Sequence, residues 1–390
     1  MHARPLRIGV SAVLLDTRDG YRKAGIGRYV MRMLDGLAER GRGHRYEVYV
    51  PAGMPLEDRW LAGGLRFHEV SFSRRPQRVW WEFAKPPHEI AEHGLDAWFS
   101  MATGLPCRCS AKRVVMIHDL VPVLYPEFFK RRKAVYQRWA LAYACRNADL
   151  VLTNSEATAR DIRRVYGRQT PIAVTPLGPG NDAPPLAPEG VSRARLASLG
   201  VVHQRFLFTL GTLEPRKNLR RLIEALAVVR RQPSAADVGL VVAGAPGWRE
   251  SDIGEFIAHQ GLNDAITFLG YVPDEDLPAL FAAAEAFVFP SLYEGFGIPV
   301  LEAMRAGAPV LSGDHAAMKE VGGDACLYFD AASVASIAET ISRFLAAPER
   351  QARAARGFAQ AEGFDWRRTV DLTLDAIEAC VRNPERRKGV

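Results

Sequence analysis

Short apolar runs alternate with longer segments of helical period along the whole chain. In the first half, the predicted strands and helices are, in order, Ile8–Leu15, 26–40, Tyr46–Val50, Val114–Ile117, 127–146, Leu150–Thr153 and 155–166. Short apolar runs that alternate with helical segments are typical of a parallel sheet with helices on both faces. The first half therefore predicts a Rossmann-like α/β domain.

A Pro- and Gly-rich stretch from Thr175 to about Gly190 interrupts this alternation. The alternation then restarts. The predicted strands are Phe206–Leu210, Val238–Ala243, Ile266–Leu269, Ala286–Phe289 and Pro309–Leu311, and the predicted helices are 218–231, 251–260, 275–284 and one that starts at Pro299. We predict two Rossmann-like domains, residues 1–180 and 181–365, with a final amphipathic helix, about 366–390, that crosses back to the first. Paired sheets of this kind bind ligands at the carboxyl ends of their strands, in the cleft between the domains.

The composition fits this prediction. Of 390 residues, 48% are hydrophobic and 24% charged, which excludes a disordered protein. No apolar stretch approaches the ~18 residues of a membrane-spanning helix. The five cysteines are scattered and show no zinc-binding spacing, so we interpret them as reduced thiols of a cytoplasmic protein.

Charge is divided unevenly between the two halves. Residues 1–180 hold 29 Lys and Arg against 17 Asp and Glu, whereas residues 181–390 hold 22 against 27. The basic half could attract nucleic acid, anionic lipid or phosphorylated small molecules. Its sharpest feature, Lys130–Lys133 directly after Phe128 and Phe129, is either a solvated helix face or a patch that contacts an anionic membrane. Nucleic acid is disfavoured, because no zinc or RNA-recognition motif accompanies the charge.

Two glycines, Gly25 and Gly27, follow the first strand and open a helix, where backbone N–H groups could meet a phosphate. A dinucleotide site is disfavoured, because Val30 replaces the third glycine and the second strand ends in Val50 and Pro51 rather than in an acid. A tight turn without a ligand is the alternative.

Gly211 to Asn218 occupies the equivalent place in the second half. It carries Arg216 and Lys217 at the predicted start of a helix, where the helix dipole disfavours cations. A bound anion would relieve that conflict, and a fork-shaped guanidinium beside an ammonium suits a diphosphate. An exposed basic pair at a turn is the alternative.

The stretch from Pro290 to Glu302 places two carboxylates around a glycine-rich loop. Glu294 lies in the loop and Glu302 in the predicted first turn of a helix that has Pro299 at its first position. Carboxylates accept paired hydrogen bonds from vicinal hydroxyls, and free N–H groups around Gly297–Leu301 could hold phosphate. Together these groups suit a nucleotide sugar. Alternatively, Glu302 stabilises the helix dipole and Glu294 is a solvated loop residue.

These motifs resemble the retaining glycosyltransferases of family 4, the group 1 transferases of GT-B fold, and in particular their bacterial mannosyltransferase-like branch. The stretches that carry the resemblance are Pro-Ser-x-Tyr-Glu-Gly-Phe-Gly-x-Pro-x-x-Glu-Ala from Pro290, Gly-Thr-Leu-Glu-Pro-Arg-Lys-Asn from Gly211, Gly25–Tyr29, His118-Asp119, Thr153–Glu156 and Gly270–Pro273. One departure is Thr212, where many members have arginine.

The resemblance implies a role for each matching residue. Glu302 would bind the ribose hydroxyls and Glu294 the donor hexose, while Arg216 and Lys217 neutralise the leaving diphosphate. His118 would meet the sugar near its 6-position, with Asp119 beside it, and Gly25 and Gly27 would face phosphate or acceptor. The other substrate-binding positions implied are Gly211, Tyr271, Gly295, Phe296, Gly297, Ile298, Val300 and Leu301.

No metal or cofactor is expected besides the donor. Asp274-Glu275-Asp276 imitates a metal-binding D-x-D motif, but it precedes a predicted helix, and we interpret its acids as helix-capping residues.

The expected activity is transfer of a hexose with retention, most plausibly mannose from GDP-mannose, to a glycan or polyprenyl-diphosphate-linked acceptor in cell-surface polysaccharide synthesis. The sequence leaves the base (GDP or UDP), the hexose, the linkage and the acceptor open. A nucleotide-sugar epimerase of the same fold and a non-catalytic nucleotide-sugar-binding protein remain alternatives. The basic first domain suggests a phosphorylated lipid acceptor at the inner face of the cytoplasmic membrane.

Overall fold

A computed structural model describes residues 4–17, 25–107, 109–167, 170–180, 190–245, 252–347 and 349–383. The chain forms two compact units. One comprises Met1–Gly178 together with Asp365–Val390, and the other comprises Pro179–Phe364.

The first unit is built on a parallel sheet of seven strands in the order β3-β2-β1-β4-β5-β6-β7. The strands are β1 (Arg7–Ser11), β2 (Arg45–Pro51), β3 (Arg66–Val70), β4 (Ala97–Ser100), β5 (Lys112–Ile117), β6 (Leu150–Thr153) and β7 (Ile172–Val174). The helices are α1 (Ile26–Arg40), α2 (Asp58–Ala62), α3 (Arg75–Ala84), α4 (Pro86–His93), α5 (Val121–Leu124), α6 (Arg131–Asn147) and α7 (Glu156–Tyr166).

The central strands are buried on both faces, which explains their unbroken apolar sequences. The first predicted strand was too long, because β1 ends at Ser11. Ala12, Val13 and Leu15 after it are buried but form a turn, in which Leu15 N donates to Ala12 O at 2.9 Å. The predicted helix 127–146 instead starts at Arg131, after a 3₁₀ turn at Pro126–Phe128.

The second unit contains a parallel six-stranded sheet in the order β10-β9-β8-β11-β12-β13. Its strands are β8 (Arg205–Leu210), β9 (Val238–Ala243), β10 (Ile266–Gly270), β11 (Ala286–Phe289), β12 (Val310–Gly313) and β13 (Leu327–Phe329). Its helices are α8 (Arg193–Ser198), α9 (Leu219–Val229), α10 (Ile253–His259), α11 (Leu277–Ala283), α12 (Ile298–Arg305), α13 (Ala316–Gly322), α14 (Val334–Ala346) and α15 (Arg350–Ala361). Two Rossmann-like sheets are thus present, as the alternation of the sequence predicts.

The last helix, α16 (Trp366–Arg382), belongs to the first unit and packs on α1. Thr369 Oγ1 donates to Pro176 O at 2.6 Å, and Arg40 forms a 2.6 Å ion pair with Asp371. The prediction that the C-terminal helix returns to the first domain is confirmed. Within the described ranges, no helix combines the length and the apolar character needed to cross a membrane.

Contact between α1 and α16 depends on the absence of a side chain at Gly36. A Cβ atom built there would lie 2.2 Å from Cγ2 of Val370. We therefore expect Gly36→Ala to lower the free energy of unfolding by about 1–3 kcal/mol through overpacking, seen as a melting temperature lower by several degrees.

The matched control is Gly254→Ala, because Gly254 also lies in a helix but has open space around the added methyl group. That change should leave the melting temperature unchanged or raise it slightly. Equal melting temperatures for the two variants would contradict the close packing of α16 on α1.

Candidate functional site

Two loops at the carboxyl ends of neighbouring strands form the centre of the second unit. Because β8 and β11 are adjacent and parallel, the loops that follow them emerge side by side. Leu292 N donates to Arg216 O at 2.9 Å, and Arg216 Nη1 donates to Tyr293 O at the same distance. The two sequence motifs, 72 and more residues apart, therefore form one structure.

Asn218 holds the first loop in place. It is one of two described non-glycine residues with a positive φ, 60°, a conformation that asparagine tolerates better than most residues. Its side chain is buried, and Nδ2 donates to Pro290 O at 3.0 Å and to Ala331 O at 2.7 Å. The sequence motif contained Asn218, but nothing in the pattern indicated that it joins three segments of the unit.

Glu294 forms ion pairs with both members of the basic pair. Lys217 Nζ donates to Glu294 Oε1 at 2.7 Å, and Arg216 Nη1 lies 2.6 Å from Oε2. Arg216 also pairs with Glu214 at 2.8 Å, and Lys217 Nζ lies 4.8 Å from the centre of the Phe289 ring. The side chains of Glu294, Arg216 and Lys217 are largely buried, so solvent screens these contacts only weakly. We call these three residues the charge cluster.

Burial and charge act in opposite directions on Glu294. Burial alone would raise the pKa of its carboxyl group, but the positive charges of Arg216 and Lys217 outweigh it, and the pKa falls well below its usual range. Burial lowers the pKa of the Lys217 ammonium, and Glu294 opposes that change. Glu294 is therefore ionised at neutral pH and can only accept hydrogen bonds.

The expected conflict between the basic pair and a helix dipole is not present. Arg216 and Lys217 lie in a 3₁₀ turn, Pro215–Lys217, and α9 begins only at Leu219. Glu294 and Glu214 neutralise the pair within the protein itself. The expectation that a bound anion would relieve this conflict did not consider the carboxylates that the fold brings to the pair.

The start of α12 also differs from the prediction. The helix begins at Ile298, so Pro299 takes its second position. The backbone amides of Val300 and Leu301 donate to Gly297 O at 3.0 and 3.4 Å, and they are not free for phosphate as predicted. Gly297 has a φ of 104°, and a Cβ there would lie 2.3 Å from Cε of Met318, so both conformation and space require glycine.

Glu302 lies beyond the first turn of α12 and is 3% exposed. A helix dipole acts mainly within the first turn, so dipole stabilisation explains Glu302 poorly. The side chains of Val300 and Leu301 are buried in the core, and Phe296 packs on Phe364 with ring centres 5.8 Å apart. The side chains of these three residues therefore pack in the protein interior, whereas Gly295 lies in the loop between Glu294 and the helix.

Sequence reasoning missed two polar side chains beside the charge cluster. Ser291 Oγ and His315 Nε2 are buried and have no hydrogen-bond partner among the described residues. The His315 ring lies nearly parallel to that of Tyr293, with centres 6.4 Å apart, and burial lowers its pKa. A single histidine followed by two alanines carries no recognisable motif, so only the structure could show its position.

Gly211, at the end of β8, has its amide bonded to Ala243 O at 3.0 Å and the side chain of Lys217 above it. Tyr271 does not join the charge cluster. It is 44% exposed and follows β10, the edge strand of the sheet, whereas the cluster lies at β8 and β11.

The acidic triplet 274–276 leads into a helix as predicted, and Asp276 takes the N-cap position of α11. The helix α11 begins at Leu277, and the carboxylate of Asp276 makes no capping hydrogen bond but pairs with Arg195 at 2.7 Å. Within the described residues, the acid and histidine groups close enough to share a metal ion are His88, Glu89 and Glu92, in the first unit.

In the first unit, His118 follows β5 and lies against Tyr29, with the rings edge to face and 4.7 Å apart. His118 Nε2 lies 3.0 Å from Met101 O, so Nε2 carries the proton and Nδ1 remains an acceptor. Burial lowers the pKa of His118 to about 4, although the bond to Met101 opposes the shift. The imidazole is therefore neutral at pH 7.

The other predicted residues of the first unit have local structural roles. Asp119 Oδ1 accepts a hydrogen bond of 2.9 Å from Val121 N at the start of α5. Gly25 precedes α1 with a φ of 61°, and Gly27 is buried in its first turn. Gly25 therefore meets the conformational requirement of a tight turn, whichever group the turn faces.

Comparison with known proteins identifies the family. Residues 197–359 match the family model described as "Glycosyl transferases group 1", and residues 24–178 match "Glycosyltransferase Family 4". O-antigen chain mannosyltransferase B of Escherichia coli is 34% identical over 269 residues, which cover 68% of this chain and 70% of that protein. The chain belongs to glycosyltransferase family 4.

A second relative of this glycosyltransferase is the serotype-specific mannosyltransferase WbdA of Escherichia coli, 27% identical over 61% of the chain but over only 30% of WbdA. Sucrose-phosphate synthase from Thermosynechococcus elongatus superimposes with a TM-score of 0.74 at 18% identity, covering 96% of this chain and 98% of that one. This likeness shows the fold. The predicted family and the GT-B fold are confirmed.

The neutral state of His118 makes stability depend on pH. Because the pKa is near 6.5 in the unfolded chain and about 4 in the fold, the unfolded state binds more protons between these values. The contribution of neutral His118 to the free energy of unfolding is fully present above pH 6.5 and is lost as the pH falls toward 4. Between pH 7 and pH 5 the loss amounts to about 2 kcal/mol.

We expect His118→Gln, which can still donate to Met101 O, to lose less stability than the parent between pH 7 and pH 5. Thermal unfolding at both pH values gives the comparison. Identical losses would show that His118 is not held neutral by burial.

Proposed function

We propose that this glycosyltransferase transfers mannose from GDP-mannose, with retention of configuration, to a growing cell-surface glycan. Mannose is proposed as the sugar because the chain is 34% identical to a protein named an O-antigen chain mannosyltransferase. The charge cluster supports a nucleoside diphosphate sugar as the donor. Its two buried cations suit a diphosphate, and its carboxylate suits the hydroxyls of the attached sugar.

Donor binding requires an exchange of partners in this proposal. Arg216 and Lys217 turn from Glu294 to the diphosphate, whose charge grows as the sugar leaves. Glu294 is then released to accept hydrogen bonds from hydroxyls of the hexose, and Glu302 accepts those of the ribose. In the first unit, His118 keeps Nδ1 as an acceptor for a substrate hydroxyl, since Nε2 donates to Met101 O.

The ionised state of Glu294 limits its chemistry. Glu294 is an ionised carboxylate when the donor binds and has no proton to give to a leaving group, so in this proposal it positions the sugar rather than acting as a general acid. In the proposed reaction the acceptor oxygen bonds to the anomeric carbon on the face that the diphosphate leaves. The acceptor proton passes to the departing phosphate oxygen, and no metal is required because the cationic pair stabilises the leaving charge.

A panel of nucleotide sugars tests this function directly. We expect GDP-mannose to be consumed only when a glycan acceptor is present, with the product heavier by one hexose and α-linked by NMR. Consumption without an acceptor would indicate an epimerase or hydrolase, and tight donor binding without any product would indicate a sensor. Loss of activity with a chelator, restored by a divalent ion, would contradict the metal-independent reaction.

The exchange of partners predicts opposite effects on binding and turnover in Glu294→Gln. Removing the competing carboxylate should strengthen the binding of GDP about tenfold by calorimetry, while turnover falls by about 10²-fold or more. Glu214→Gln is the matched control, because Glu214 pairs with Arg216 alone and is more exposed. It should change both quantities little. Weaker GDP binding in Glu294→Gln would show that Glu294 holds the cations in place rather than competing with phosphate.

A further inference from the structure

Helix α6 presents a positively charged face without negative charge. Its seventeen residues include five arginines and lysines and no acid. Arg131, Val135, Arg138 and Trp139 lie three to four residues apart and share one side of the helix, next to Arg132. These five residues are exposed, and none of the three arginines forms an ion pair with a carboxylate of the described chain.

Large apolar side chains lie among these cations. Val135 is 63% exposed and Trp139 is 53% exposed. The Trp139 ring rests on Phe83 of α3, with centres 5.0 Å apart, and Trp80, one turn earlier on α3, is 63% exposed. The one acid of α3, Glu82, is buried. We call Trp80, Arg131, Arg132, Val135, Arg138 and Trp139 the α3–α6 face.

The aromatic residues that the sequence indicated for this surface, Phe128 and Phe129, are less exposed than Trp80 and Trp139. Phe128 and Phe129 are partly buried, since Phe128 stacks on Tyr125 at 5.5 Å and Lys133 Nζ lies 5.0 Å from the Phe129 ring centre. The exposed aromatic rings belong instead to Trp139, on α6, and Trp80, which is distant in sequence. A membrane patch limited to Lys130–Lys133 would therefore have lacked its apolar part.

We propose that the α3–α6 face docks on the surface of an anionic lipid bilayer. Tryptophan is favoured at the boundary between headgroups and acyl chains, and arginines around it attract anionic headgroups. An acidic protein partner would match the charge, but two half-exposed tryptophans and a valine among three arginines fit an interfacial helix better. This inference does not depend on the identity of the sugar, and it would bring a transferase to lipid-linked acceptors.

Flotation with vesicles tests the proposal on the full chain. We expect binding to phosphatidylcholine vesicles containing about a third phosphatidylglycerol, weakening as salt rises, and little binding to phosphatidylcholine alone. Arg131→Gln with Arg132→Gln should weaken binding about 30-fold, at a factor of about five for each cation. Trp80→Gln with Val135→Gln should weaken it roughly tenfold without changing net charge.

The control is Arg231→Gln with Arg343→Gln, two exposed arginines of the second unit, which should retain parental binding. All variants should keep the parental melting temperature, since the substituted side chains are exposed. Equal loss in the control would show attraction by net charge alone and overturn the assignment to this face. No vesicle binding by the parent, or a preference for soluble polyglutamate over anionic vesicles, would overturn the membrane as partner.

Discussion

A buried carboxylate shared between two cations organises the second unit. Charged groups lose their hydration when they are buried, so Glu294, Arg216 and Lys217 are stable inside the protein only as a group. Each of them lies in a loop that ends a strand, and the loops are joined by backbone hydrogen bonds as well as by charge. In the proposed reaction a diphosphate takes the place of Glu294 beside these two cations.

The net charge of each half of the chain differs from the charge at its most distinctive surface or site. The second half carries a net negative charge, yet its centre contains two buried cations placed by strand order. In the first half the excess positive charge includes a helix face free of acids, which also carries exposed tryptophan and valine. Net charge identified neither arrangement, since it counts residues without regard to which of them the fold brings together or neutralises.

Several predictions failed where a local pattern was used in place of a tertiary contact. The amides of Val300 and Leu301 bond to Gly297 O, a partner within their own helix. Asp276 takes the N-cap position of the helix that follows it, as predicted, but its carboxylate binds Arg195 from a distant segment instead of making a capping hydrogen bond. The short strands β3, β4 and β7 were missed, because three to five residues give little periodic signal.

The sequence by itself determined the two parallel sheets, the returning C-terminal helix and the family, because long apolar runs and fixed glycine and proline positions are local properties. Glu294 with Glu302, and Arg216 with Lys217, were also recognisable as candidate site residues from their residue types and spacing. Only the tertiary structure decided that Glu294 neutralises Arg216 and Lys217, that Asn218 joins three segments, and that Ser291 and His315 lie buried beside them. Those contacts depend on which strand ends become neighbours in the sheet, and spacing along the chain does not specify that.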